Sequence, residues 1–277
     1  MISLKKLLQI SRPRFWIYGL GPFLLAIAHL VRVDAVYSIP IMVVFGIFFT
    51  LPANLLVYGV NDIFDQETDA LNPKKDSYEN RLQKNEIVPL FYVIIFLLAP
   101  FILIEILAGD LPSLLIFLST LFLLVFYSAP PLRFKNIPLV DSMVNGLMSV
   151  APFIFALVFV GQPLPLITIV AGGLWAMALH IFSAIPDIAS DTQAGLTTTA
   201  TWLGEKKSLV FVSTLLVSSI ALGAIFATPA LLLIGLPYLI IFMLPLWKSH
   251  SLFSLYKKIP LVTFVSGTLL FFMILFL

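Results

Sequence analysis

Nine long apolar runs limit what this chain can fold into. A helix needs roughly 20 mostly apolar residues to cross ~30 Å of hydrocarbon. Runs of that kind fall at 14–31, 38–60, 88–108, 112–129, 139–160, 163–185, 207–227, 229–246 and 259–277. Several are parted only by short turns such as Gly161-Gln162-Pro163 and Thr228-Pro229. Composition closes off the soluble alternative. Of 277 residues, 60% are apolar and 11% charged, whereas an ordinary soluble domain is about half apolar and a quarter charged. A wetted surface cannot be built from that remainder, and the same apolar excess excludes a disordered chain. Without cysteine there is no disulfide scaffold, thiolate metal site or cysteine nucleophile. A net charge of +2 gives no reason to expect nucleic acid as a partner. The first run follows Lys5, Lys6, Arg12 and Arg14; it is too long for a removed signal peptide and lacks a convincing small-residue cleavage site. The expectation is an all-α, multi-pass membrane protein of nine transmembrane helices, read as one domain over 1–277.

Charge placement predicts the orientation. With nine spans, the N-terminus shares one side with the connections at 61–87, 130–138, 186–206 and 247–258. Fifteen of the sixteen cations fall there, and only Arg32 falls opposite. The positive-inside bias makes the crowded side cytoplasmic. That puts the N-terminus inside and Leu277 outside, in the cell membrane.

The acidic residues carry more chemistry than their number suggests. One connection begins Asn61-Asp62-Ile63-Phe64-Asp65 and continues to Asp69; another begins Pro186-Asp187-Ile188-Ala189-Ser190-Asp191. Both sit where an apolar run reaches the cytoplasmic interface. At ~100° per residue, Asp62, Asp65 and Asp69 share one helix face, extended into the membrane by Asn61, Tyr58 and Asn54. Asp187 and Asp191 share another face, with His180 two turns deeper. Carboxylates stacked on one face repel. Either they are solvated or locally paired interfacial charges, or two facing rows hold Mg²⁺, which takes hard oxygen ligands and joins carboxylates to substrate phosphates. Two helically spaced rows in so charge-poor a chain favour the second reading. The absence of cysteine and the count of three histidines argue against zinc. Cations for a phosphate come from the third connection, Tyr127-Ser128-Ala129-Pro130-Pro131-Leu132-Arg133-Phe134-Lys135, with Arg12, Arg14, Lys74, Lys75 and Arg81 as further candidates. A diphosphate head on an apolar tail is a prenyl diphosphate. The 25 Phe, 8 Tyr and 4 Trp include rings able to shield a carbocation, though most must face lipid or pack between helices.

Asn61-Asp62-x-x-Asp65-x-x-x-Asp69 resembles the first aspartate-rich motif of the UbiA superfamily of intramembrane prenyltransferases. Asp187-x-x-x-Asp191 resembles its second motif, and Gly195-Leu196-Thr197-Thr198-Thr199-Ala200 the segment that follows. Tyr127-Ser128-x-Pro130-Pro131-x-Arg133-x-Lys135 and Ser11-Arg12-Pro13 are similar to two further patterns of the superfamily. The resemblance implies nine helices around a central cavity, Mg²⁺ dependence and a cytoplasm-facing active site. Two stretches, 58–75 and 182–201, look like the lycopene elongase branch of C50 carotenoid synthesis. Carried onto this chain, Asn61, Asp62, Asp65, Asp69, Asp187 and Asp191 would hold Mg²⁺ on the diphosphate of an allylic donor. Arg133, Lys135, Arg81 and Tyr127 would bind the diphosphate, with Asn54, Tyr58 and His180 lining the pocket. The connection at 66–87 would close over the site. The implied partners are a prenyl diphosphate donor, a lipophilic carotenoid acceptor and membrane lipid. Two alternatives stay open: prenylation of an aromatic ring for quinone, tocopherol, chlorophyll or haem synthesis, and a cation-coupled transporter. The interfacial depth of the carboxylates tells against the transporter. His180 reads either as a pocket residue that orients the acceptor or takes a proton, or as a packing histidine. Glu105 and Asp110 fall at the opposite membrane face, away from this chemistry.

Overall fold

In the computed structural model, residues 2–66, 69, 81–226, 229–247 and 251–276 are described. Their regular structure is entirely helical, with no strand among them. Six helical stretches are long and apolar enough to cross a membrane: Ile39–Phe64, Lys84–Ala108, Val140–Phe159, Leu166–Gln193, Thr199–Ile225 and Leu252–Phe276. A seventh is the pair Leu4–Phe15 and Ile17–Arg32, bent by 59°. Leu111–Phe126 and Leu231–Pro245 are apolar but shorter. At 1.5 Å per residue the former is about 24 Å long, under the usual hydrocarbon thickness. The protein is therefore a multi-pass integral membrane protein with six to seven spans by length and composition among the described residues.

Local chemistry explains where the elements begin and end. Helix α1 (Leu4–Ser11) is capped by the Ser3 hydroxyl, which accepts the Lys6 N–H at 3.2 Å. It stops at Arg12 because Pro13 cannot continue it. The run 38–60, predicted as one span, is the single stretch Ile39–Phe64, with a local break that divides it into α3 (Ile39–Phe48) and α4 (Leu51–Phe64). Pro52, in the first turn of α4, removes a backbone donor from the junction. The Asn54 carboxamide bridges the break, donating to Phe49 O at 3.3 Å and Thr50 O at 2.7 Å. The helix expected to start at 207 starts instead at Thr199 and bends at Gly204, whose φ of 73° suits glycine.

The chain divides into two compact units. The first comprises Met1–Arg133 and Ala151–Pro163; the second comprises Phe134–Val150 and Leu164–Leu277. The core of the first unit is a fused phenylalanine cluster. Phe45 lies 4.7 Å from Phe155, Phe48 lies 4.9 Å from Phe117, and Phe23 lies 5.3 Å from Phe49, measured between ring centroids. Side-chain packing holds helices together in lipid, where burial from water adds little, and rings at these separations contribute beyond their area. In the second unit, α8 (Leu166–Ala184) packs closely on its neighbours. A Cβ built on Gly146, in α7 (Val140–Phe159), would stand 3.0 Å from Gly173 O and 2.9 Å from the Met177 side chain. The Ser219 hydroxyl of α10 (Thr199–Phe226) donates to Ala171 O at 2.7 Å, and Phe182 stacks on Phe242 at 4.4 Å.

Candidate active site

The first aspartate motif lies on the last turns of α4. Asp62 and Asp65 are 2% and 5% exposed, so each charge needs a partner. Asp62 Oδ1 accepts from Arg12 Nη2 at 3.1 Å, and Asp65 Oδ1 accepts from Arg133 Nη2 at 3.0 Å. The Arg12 guanidinium also sits over the Tyr58 ring, 4.4 Å from its centroid. Asn61 Nδ2 donates to Asp65 Oδ2 at 2.6 Å and to the buried Ser128 hydroxyl at 3.1 Å. The Asp69 backbone N–H donates to Asp65 O at 2.7 Å.

Backbone conformation marks the same place. Four non-glycine residues among those described have positive φ, and two of them are Arg12 (50°) and Arg133 (42°). A left-handed conformation costs an L-residue roughly 1–2 kcal/mol, and such strain tends to gather at functional sites. The two arginines that hold the first motif are thus both held in unfavourable backbone geometry. Tyr127, at the end of α6 (Leu111–Phe126), precedes Ser128 and is half-buried. Arg81 is exposed, and its carbonyl accepts the Lys6 ammonium at 2.8 Å.

In the second unit, the short 3₁₀ turn Ile185–Asp187 and helix α9 (Ile188–Gln193) carry Asp187 and Asp191, both half-buried. The Ser190 hydroxyl donates to Asp187 O at 3.0 Å, and Leu196 N–H to Asp191 O at 2.8 Å, which folds the following segment back. Lys135 is buried, in the turn Phe134–Asn136. His180 Nε2 stands 4.0 Å from Asp141 Oδ2.

The structure therefore gathers Tyr58, Asn61, Asp62, Asp65 and Arg133 of the predicted set around one helix end. Asn54 sits lower, on the α3–α4 break. Lys74, Lys75 and most of the connection expected to close over the site lie outside the described residues. The sequence reading left Arg12 among several spare cations, and nothing in the spacing singles it out as the partner of Asp62. It missed Asp141 altogether, although a carboxylate within an apolar run is itself a signal.

The donors fit a hard cation. Asp62 and Asp65 offer carboxylate oxygens, and with its amide nitrogen turned to Asp65 and Ser128, Asn61 has an oxygen as its other polar atom. An all-oxygen set of this kind suits Mg²⁺. Among the described residues no group of three or more Asp, Glu, His or Cys side chains is placed to hold a metal ion. An ion that retains water and takes oxygens from a phosphate does not require one.

Residues 15–275 match the UbiA prenyltransferase family, and the chain belongs to that family. It is an intramembrane prenyltransferase. The chain is 40% identical over 238 residues to a lycopene elongase/hydratase from Halobacterium salinarum, covering 84% of each. It is 38% identical over 242 residues to a lycopene elongase/hydratase from Haloferax volcanii, covering 84% of this chain and 76% of that protein. The fold matches a UbiA homolog from Archaeoglobus fulgidus bound to GPP and Mg²⁺, with TM-score 0.76 and 21% identity, over 98% of this chain and 100% of that one.

Proposed function

We propose that this protein transfers a dimethylallyl group from dimethylallyl diphosphate to lycopene or a related carotenoid, in an Mg²⁺-dependent reaction within the membrane. Two lines support the reading. Relatives at about 40% identity carry the name lycopene elongase/hydratase. The observation that carries the chemistry is the pair of buried aspartates, Asp62 and Asp65, each on its own arginine at a helix end.

In this reading Asn61, Asp62, Asp65, Asp69, Asp187 and Asp191 hold Mg²⁺. When bound, the ion supplies neutralisation of the leaving diphosphate, the Lewis-acid role of metals in such displacements. The chain's own cations do the rest. Arg133, Lys135 and Arg81 stabilise charge as it builds on the departing oxygen, and Arg12 holds the Asp62 carboxylate in place. Tyr127 adds a hydroxyl to the diphosphate contacts. The apolar surroundings keep water from the allylic cation until it meets the acceptor. Nine spans follow if the bent pair and the two shorter apolar helices each cross with the six long ones. The motifs then face the cytoplasm of the cell membrane, with the C-terminus outside.

A long polyene acceptor outgrows any closed pocket within ~30 Å of hydrocarbon, so the reading also requires a lateral opening to lipid. The test is expression in cells that accumulate lycopene, followed by pigment mass analysis, and turnover in liposomes with and without a chelator. The expected product gains one or two C5 units, and chelation abolishes it. Transfer to an aromatic acceptor with none to lycopene refutes the carotenoid assignment.

A further inference from the structure

The diphosphate chemistry leaves a second polar cluster, in the second unit, without a role. Asp141, in the first turn of α7, is 1% exposed. It accepts the Thr199 N–H at 2.7 Å, the Thr199 hydroxyl, and the Ser142 N–H at 2.6 Å. Thr199 Oγ1 in turn accepts the Leu139 N–H at 2.7 Å. The N-termini of α7 and α10 are thus capped by each other's side chains, with Leu139 held at a φ of 68°. This lock fixes Asp141 beside His180, whose Nε2 is 4.0 Å away and whose side chain remains 18% exposed. The flanking Ala178, Leu179, Ile181 and Phe182 are all buried. His180 precedes Asp187 by seven residues, about two turns along the end of α8 and the 3₁₀ turn Ile185–Asp187. The membrane helices of this unit also carry Asp187 and Asp191 of the second motif, Glu205, Lys206 and Lys207 near the start of α10, Tyr256, Lys257 and Lys258 in Leu252–Phe276, and Tyr238, 3% exposed with its hydroxyl on Thr263.

We propose that His180 is the base that takes up the proton released once the prenyl group is joined to its acceptor, and that Asp141 is its positioning residue. This rests on the prenyl-transfer reading above. The allylic C–O bond breaks and its electron pair leaves with the diphosphate. The acceptor's π pair forms the new C–C bond, leaving a carbocation on the acceptor. An adjacent C–H bond then gives its pair to that centre, forming an alkene, or water adds to it, forming an alcohol once an O–H proton is lost. Either proton passes to imidazole. Nε2 is the ring nitrogen that stands 4.0 Å from the Asp141 carboxylate. The Asp141 carboxylate stabilises the imidazolium that results.

The experiment uses the full chain in liposomes with dimethylallyl diphosphate, Mg²⁺ and lycopene, reading diphosphate release and carotenoid product separately. His180→Gln is expected to keep diphosphate release near the wild-type rate while prenylated product falls roughly 100-fold or more and dimethylallyl alcohol accumulates. Asp141→Asn is expected to split the two readouts in the same direction by a smaller factor, with a changed alkene-to-alcohol ratio. Wild-type yield and ratio in His180→Gln overturn the assignment, as does a parallel fall of release and product. If His180→Gln does not accumulate, Asp141→Asn decides by the same split; failure of both to accumulate marks the pair as structural and overturns it. No diphosphate release from the wild type refutes the prenyl-transfer reading instead.

Discussion

The Arg12–Asp62 pair yields a measurable coupling. The two groups are 3.1 Å apart, with side chains 12% and 2% exposed. At an effective dielectric of about 20, the Coulomb attraction at that distance is about 5 kcal/mol, and desolvation of both charges offsets part of it. Removing one partner deprives the other buried charge of this ion pair and is expected to cost about 3–5 kcal/mol. Removing both takes the charges away together. A double-mutant cycle with Arg12→Met and Asp62→Asn should therefore be strongly non-additive, the double variant costing no more than either single one and the coupling reaching at least about 3 kcal/mol. The matching cycle on Arg133 and Asp65, where the arginine side chain is 35% exposed, should give a smaller coupling because solvent screens it. The assay is reversible unfolding in mixed micelles, followed by tryptophan fluorescence at fixed detergent composition. Additive effects at Arg12–Asp62, or a larger coupling at Arg133–Asp65, would refute burial as what sets the strength of these contacts.

Two further outcomes follow from the same contacts. Asp65→Ala and Asp191→Ala should each abolish turnover without loss of membrane-inserted protein, while Lys257→Ala, at an exposed position, should leave activity near wild type; radiolabel transfer from the donor checks all three. Gly146→Leu should destabilise the protein by about 1–3 kcal/mol or more, because a Cβ there already meets Gly173 O at 3.0 Å; a lower unfolding midpoint is expected, and an unchanged one would mean that α7 and α8 do not pack this closely.

Membrane residence, helical class and the positions of the apolar runs follow from the sequence alone. No other structure satisfies the backbone of twenty apolar residues in hydrocarbon. The spacing of Asp62, Asp65 and Asp69 was equally legible, because helical periodicity is local. What the sequence could not supply was the choice among cations. Arg12, Arg14, Arg81 and Arg133 look alike on paper, and only tertiary structure brings Arg12 to Asp62 across 50 residues and Arg133 to Asp65 across 68. The α3–α4 break was hidden for a related reason. Pro52 permits either a kinked continuous helix or two helices, and the bonds from Asn54 to Phe49 and Thr50 go with the second. Asp141 shows the limit most clearly. In the sequence it is one carboxylate at the edge of an apolar run. Its role depends on Thr199, 58 residues away, and on His180, and no local pattern encodes a contact between groups that meet only when separate helices pack.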